Sequence, residues 1–538
     1  MSTSRPDGVV GPPPPPPASA GRPSRAPSGR RSAGRGALAG LVAGLVTVGV
    51  GSFVALFTGP SSDPLVAVGA AFVDATPAWL KDVATSTFGT SDKTALRVGE
   101  VVVLAGLAAL AGVLATRRWW WGAALVVLLG AVAALAAVNR PDAGVLAPVP
   151  SILGAFAGLV TLRALLDRIP RTAARGTAPS GPGRRAFLQG SLVATAIGGV
   201  ALLAGRLAGA GSRAVESARA ALHLPAPSRA AAPVPAGVHP DVPDLEPWAT
   251  PPADFYRIDT ALVVPQVDPA RWSLRVHGLV DHEVTITWDE LLAQPLVEAW
   301  VTLACVSNPV GGDLVGNQRW LGWPIRELLA RAGPHADADM VLSTSQDGFT
   351  ASTPIEALTD PQRDALLAVG MDGRPLPLAH GFPVRMVVPG LYGYVSATKW
   401  VVDLEVTRYS DASAYWTERG WSERGPIKTE SRIDVPRGGT VDAGRVVVAG
   451  TAWAQHRGVA RVQVRVDDGA WQDATLADSG GIDTWRQWSW EWDATPGDHV
   501  LHARAFDPAG PQTGAEADVV PDGATGYPTK RVTVRAAP

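Results

Sequence analysis

Cysteine is almost absent: the 538 residues hold one, Cys305. A lone thiol excludes an internal disulfide, a CxxC zinc site, a cysteine-ligated iron–sulfur cluster and a CxxCH haem attachment. Lysine is scarce, so arginine supplies most of the positive charge, and 47 basic side chains are offset by 49 acidic ones. A net charge of −2 provides no basic surface for phosphate neutralisation, which argues against nucleic acid as the main partner. Acidic residues are in turn rare in the first two-fifths of the chain, where Ala, Leu, Val and Gly dominate. That part is not a soluble domain.

Five runs are long and apolar enough for a bilayer core, which takes about 20 residues: 36–58, 97–116, 119–138, 144–166 and 187–209. Histidines begin at His223, and Met340 is the first methionine after Met1. None of the five runs therefore offers the axial ligands of a membrane haem, and no haem is expected. Ionisable content is low, with Glu100 near a span end, so a transport pathway has little support. Gly36, Gly40 and Gly44 have the spacing of a close helix contact, although an Ala/Gly-rich run yields such spacings by chance. An anchoring bundle is the reading. Residues 65–88 carry Asp74, Pro77, Lys81 and Asp82 and read as an exposed loop on the membrane surface.

Short cytoplasmic loops are enriched in arginine. The basic tail 1–35, which contains the run Pro12 to Pro17 and reads as disordered, the turn at Arg117 and Arg118, and the connection 163–186 fall on one side. The topology is multi-pass in the cell membrane, with a cytoplasmic N-terminus and everything after 210 outside. The last span opens with GRRAFLQG (183–190). Arg184 and Arg185 read either as a twin-arginine signal, the address of proteins exported folded, or as ordinary positive-inside charge.

Residues 210–250 are Ala/Pro-rich and read as a linker. From 251 to 435 short alternating runs (272–276, 284–288), a helical stretch (325–331) and Gly/Pro punctuation indicate one α+β domain. From 436 to 538 about seven short strands, with a turn at Asp467-Asp468-Gly469, indicate an all-β, immunoglobulin-like sandwich.

Cys305 ends an apolar run and begins a Gly/Asn/Pro loop, VTLACVSNPVGG (301–312), which holds a thiol at a strand end facing a cleft. A buried inert cysteine is the commoner fate of such a residue. A thiolate is also a soft ligand for a transition metal.

The segment HGFPVRMVVPGLYGYVSATKW (380–400) resembles the pterin-binding stretch of the sulfite oxidase family of molybdenum enzymes. So do DFYRID (254–259), TLACVSN (302–308), GNQRWLGWPIRELL (316–329), SQDG (345–348) and YWTERGWSERGPIKTESRID (415–434), covering 250–435. The last hundred residues resemble that family's immunoglobulin-like dimerisation domain. The resemblance implies a molybdenum–molybdopterin cofactor, with Cys305 as the metal ligand. Tyr256, Arg257, Asn308, Asp347, His380, Arg385, Ser396 and Lys399 would hold the pterin, whose phosphate and polar rings need such donors. Trp320 would wall the pocket. Arg257 and Trp421 join Cys305 as candidate catalytic residues.

Four positions depart from the family pattern. Asp259 stands where the family usually has a histidine, Pro309 and Val310 where sulfite oxidases have arginines, and Trp421 where a tyrosine is expected. The basic pocket for a sulfur oxyanion is thereby weakened, unless Arg419 or Arg424 folds in. The expectation is oxygen-atom transfer on a small sulfur- or nitrogen-containing substrate, in either direction, with a separate electron carrier (quinone or cytochrome) and scope for a homodimer. The rivals are sulfite oxidase proper and a non-catalytic, membrane-tethered binding protein.

Overall fold

The computed structural model describes residues 28–77, 80, 92–141, 143–169, 182–207 and 210–536. The tail 1–27 and most of 76–91 lie outside them. Among the described residues five helical stretches are long and apolar enough to cross a membrane: Ala33–Thr58, Thr94–Arg117, Trp119–Val138, Val149–Asp167 and Arg185–Ala204. They belong to helices α1 (Ser28–Thr58), α3 (Asp92–Arg117), α4 (Trp119–Val138), α5 (Val149–Asp167) and α6 (Pro182–Leu207). α1 is the hub, packed against α3, α5 and α6. The glycine spacing read from the sequence is the α1–α3 seam. A Cβ on Gly40 would sit 2.0 Å from the Ala108 carbonyl oxygen, and one on Gly112 would sit 2.0 Å from that of Gly36. Small residues there let the backbones touch.

Two segments differ from the sequence reading. Part of 65–88, expected as a loop, is helix α2 (Pro64–Ala75). Asp63 caps it by accepting from Leu65 N–H at 2.9 Å, Pro64 opens it, and Ala67 packs with Ala136, Ala137 and Ala147 of α4 and the turn after it. Residues 210–250, expected as a linker, begin with helix α7 (Ala210–Ala221) and then lie along the domain that follows. Ser228 N–H donates to Leu296 O at 2.7 Å, and Trp248 is buried with its carbonyl accepting from both Asn317 and Trp485. Apolar anchors such as Trp248 and Leu245 fix this stretch despite its alanines and prolines.

The next region builds two sheets from β1 (Ser273–Gly278), β2 (Val284–Thr287), β3 (Val297–Ala304), β4 (Val315–Pro324), β5 (Met340–Ser345), β6 (Thr350–Pro354), β7 (Leu366–Met371), β8 (Arg374–Pro375), β9 (Arg385–Val387) and β10 (Val401–Thr407). Their orders are β2-β1-β10-β5-β6 and β3-β4-β7-β8, with β9 also on β7. β3 and β4 pair antiparallel from Val297↔Gly322 to Ala304↔Val315, so the chain leaves the ladder at Cys305. Trp272, Leu274, Leu328, Val341 and Leu404 fill the space between the elements.

Beyond Glu430 two further sheets follow, one of four strands and one of six, facing each other across Val448, Val462, Trp488, Leu501 and Val532. This unit grips β3 from outside. Thr302, three residues before the thiol, receives the Trp485 backbone N–H on Oγ1 at 2.8 Å and donates to Asn317 Oδ1 at 3.0 Å.

Candidate active site

Four loops converge beyond the sheet ends: 255–260, 305–307, 345–349 and 393–400, joined by Trp416 and Trp421. Cys305, Tyr256, Asp347, Arg385, Lys399 and Trp421 of the expected set line this pocket. Cys305 is anchored through its backbone N–H to Leu314 O at 2.9 Å. Burial pushes its thiol up, against hydrogen bonding by Ser307 and the Lys399 charge, which favour the thiolate.

Arg385 is 4% exposed and reaches inward from β9 with its guanidinium 5.1 Å over the Trp320 ring. It donates to the carbonyls of Met386, His380 and Ala397. Burial draws it down to about 10. Lys399 is drawn down to about 8 by burial, although Asp259 opposes this. Its Nζ donates to Asp259 Oδ2 at 3.0 Å and to Ala379 O at 3.2 Å. Burial raises the Asp347 carboxyl, which accepts from Ser345 Oγ.

The other expected residues stand behind or beside the wall. Trp320 is fully buried beneath Arg385, its Nε1 donating to Val301 O at 3.2 Å. Ser396 is buried and donates to the Tyr392 carbonyl at 2.9 Å. Arg257 lies outside the wall, 40% exposed, its Nε on Asp259 Oδ2 at 2.9 Å. Tyr256, Ile258 and Asp259 line the pocket, while the Arg257 side chain is not among the lining groups and pairs with Asp259 instead.

Asn308 spends its Oδ1 on the Leu314 N–H at 2.9 Å, and His380 is paired through Nε2 to Pro252 O at 3.2 Å. Asn308 Nδ2 and His380 Nδ1 are buried with no partner. Buried polar atoms are nearly always paired, so the Asn308 amide offers an open donor and His380, whose Nε2–H is given to the Pro252 carbonyl, an open acceptor at Nδ1, which suits a ligand with both kinds of polar group. His380 is held down to about 4 by burial and the charges of Arg385 and Lys399, so its ring is neutral and Nδ1 accepts rather than donates. Among the described residues no three His, Cys, Asp or Glu side chains gather as a metal site. Cys305 would be the protein's ligand to the metal, and Arg385, Lys399 and Asn308 are donors of the kind molybdopterin needs.

Asp259, Phe349, Tyr394, Trp400 and Trp416 also line the pocket, and the sequence reading gave them no role there. Phe349 directly follows SQDG and Trp416 lies inside YWTERGW, so adjacency to those motifs was the available signal. Trp416 and Trp421 meet edge to face at 6.0 Å, and Tyr394 sits 5.8 Å from Trp421. Neither candidate arginine joins these rings. Arg419 folds onto Tyr415, 3.6 Å from the ring centroid, with Nη1 donating to Tyr415 O at 2.6 Å. Arg424 lies over Tyr409 and pairs with Glu356 at 3.3 Å. Val310 packs toward Gly526 rather than the pocket.

The family of the oxidoreductase molybdopterin binding domain matches residues 261–416. Mitochondrial sulfite oxidase of Rattus norvegicus is 31% identical over 274 residues, 43% of this chain and 49% of that protein. The chain thus spans about half the length of the mitochondrial relatives it matches. The uncharacterized oxidoreductase YuiH of Bacillus subtilis (strain 168) is 31% identical over 158 residues, 29% of this chain and 76% of that protein. Among solved structures, the sulfane dehydrogenase SoxCD from Paracoccus pantotrophus aligns with a TM-score of 0.47 and 22% identity, covering 55% of this chain and 85% of that one. With its thiol and two buried cations lining one pocket, the chain belongs to the sulfite oxidase family of oxidoreductases, whose cofactor is molybdenum bound to molybdopterin.

Proposed function

We propose that this chain is a membrane-anchored enzyme with its active site outside the cytoplasm, and that it transfers an oxygen atom to or from a small neutral sulfur or nitrogen compound. The observation that carries the substrate reading is the aromatic mouth of Phe349, Tyr394, Trp416 and Trp421, which neither Arg419 nor Arg424 enters. A dianion such as sulfite is held best by convergent guanidinium forks. Without them it loses charge-assisted hydrogen bonds worth about 1.5–3 kcal/mol each, or about ten- to a hundredfold in affinity. A neutral sulfoxide or N-oxide loses far less, and its apolar groups gain from the rings.

When bound, the cofactor supplies the two-electron oxygen-transfer chemistry. Arg385, Lys399, Asn308 and His380 would hold its polar rings and phosphate, and Cys305 would ligate the metal. Trp421 shapes the cavity, since its indole N–H is too weak an acid to relay a proton. Asp347 lines the pocket wall, its carboxyl raised by burial, which the Ser345 hydrogen bond opposes. Electrons come from or go to a separate quinone or cytochrome.

The orientation rests on two features. Arginine clusters mark one side of the bundle as cytoplasmic, and Arg140, in the turn at the opposite end of α4, donates to the Asp347 carbonyl of the pocket-bearing domain at 3.2 Å. The C-terminal pair of sheets is read as an immunoglobulin-like sandwich able to dimerise. Sulfite oxidation is the second reading, favoured by the identity to the rat enzyme. Location is tested by labelling intact cells with a membrane-impermeant lysine reagent. Labelling of Lys428 or Lys530 places the domain outside, and labelling only after lysis places it inside.

A further inference from the structure

Both lips of the pocket are held by the membrane bundle. Arg140 follows the end of α4, and its side chain is 17% exposed. Its Nη1 donates to Asp74 Oδ2 on α2 at 2.9 Å, and its Nη2 to the Asp347 backbone carbonyl at 3.2 Å. Next to it, Pro141 fills the space over Gly348. A Cβ on Gly348 would come within 2.2 Å of Pro141 Cγ, and the glycine has φ +88°. On the opposite lip Arg97 Nη2 donates to Leu262 O at 2.7 Å, and Leu262 Cδ1 lies 3.2 Å from where a Gly69 Cβ would stand. Leu262 is two residues beyond Thr260, and Asp347 and Phe349 flank Gly348. All three of these neighbours line the pocket.

An exposed ion pair contributes little by itself. Arg140 differs because a planar guanidinium bonded at two nitrogens fixes the distance and angle between its two partners. One partner is a helix end and the other is the backbone of a pocket loop. That loop has its own hydrogen bonds, Gly348 N–H to Ser345 O at 2.9 Å and Gln346 N–H to Trp400 O at 2.8 Å. They shape the turn locally but leave its outward side to Arg140 and Pro141.

We propose that Arg140 is a positioning residue of the active site: with Pro141 it clamps the 345–349 loop to the outer end of the bundle, which thereby braces the pocket from behind as well as anchoring the chain. This rests on the reading of the pocket as the substrate site. The clamp acts on substrate fit through Asp347 and Phe349 and does not touch the reacting atoms.

The test uses the full chain in detergent or membranes, as Arg140→Ala, Arg140→Lys and wild type, each checked for molybdenum content. The expected result for Arg140→Ala is about tenfold faster amide hydrogen exchange confined to 345–349. With it should come a KM for a neutral sulfoxide raised about five- to tenfold at nearly constant kcat and metal content. Arg140→Lys keeps the Asp74 charge pair but cannot span both partners, so it should fall between the two. If Arg140→Ala is poorly folded, the lysine variant carries the same comparison. Exchange at 345–349 unchanged in the variants overturns the proposal. Exchange does not depend on which compound is turned over, so a failure of the sulfoxide reading shows as absent sulfoxide turnover with the exchange effect intact.

Discussion

Lys399 Nζ donates to Asp259 Oδ2 at 3.0 Å across 140 residues of sequence, and the same oxygen accepts from Arg257 Nε at 2.9 Å. One carboxylate therefore steadies a cation that lines the pocket and draws a second toward its rim. Burial lowers Lys399 to about 8, and Asp259 works upward against it. Asp259→Asn removes the upward contribution, so Lys399 should lose its proton at lower pH. The ammonium form binds the anionic pterin, so cofactor retention in the variant should fall at lower pH than in the wild type, whose Lys399 stands at about 8, by about tenfold for each pH unit by which the proton is lost earlier. Molybdenum retained after desalting across this range reads the effect. Superimposable profiles would show that Asp259 does not govern Lys399.

Cys305→Ser should leave a folded protein that does not turn over, because a hydroxyl at neutral pH replaces a soft thiolate poorly in a metal's inner shell. Arg385, Lys399 and His380 remain to hold the pterin, so the metal absorption should change rather than vanish. Wild-type rates in this variant, with metal loading verified, would exclude the ligand role.

Trp421→Ala should raise the KM for a neutral sulfoxide by about tenfold, through loss of aromatic contact worth about 0.5–1.5 kcal/mol and of the area the ring covers. Its kcat should change less, because the indole positions the substrate without exchanging protons. An equal fall in kcat and kcat/KM would instead give Trp421 a role in the transition state.

The apolar spans were legible because runs of about 20 apolar residues are a physical requirement of the bilayer. Helix α2 was not, since it has only 12 residues and carries Asp74 near its end. Its partners are alanines of α4, which no pattern within 64–75 announces. Cys305 was legible as the point where an apolar run meets a loop. The destinations of Arg419 and Arg424 were not, because a long side chain can reach either the pocket or a neighbouring ring, and packing alone directs these two to Tyr415 and Tyr409. The Asp259 pairing with Lys399 was hidden for the same reason. It joins residues that are adjacent only once the two sheets are assembled.

Replacing Arg184 and Arg185 together by lysine keeps the positive charge at the start of α6 but alters the twin-arginine pattern. A domain exported already holding its cofactor should then stay inside, and cell fractionation with metal analysis would show it. Full export of molybdenum-loaded domain after the change would leave the two arginines as topology charges only.

Steady-state kinetics on the purified full chain, comparing sulfite oxidation with sulfoxide and N-oxide reduction at fixed low salt with artificial electron carriers, test the substrate reading most directly. The aromatic mouth, with Arg419 and Arg424 turned away from it, predicts a kcat/KM for a neutral sulfoxide or N-oxide above that for sulfite. Efficient sulfite oxidation with a micromolar KM would contradict it, and would require Arg419 or Arg424 to leave its tyrosine and enter the pocket.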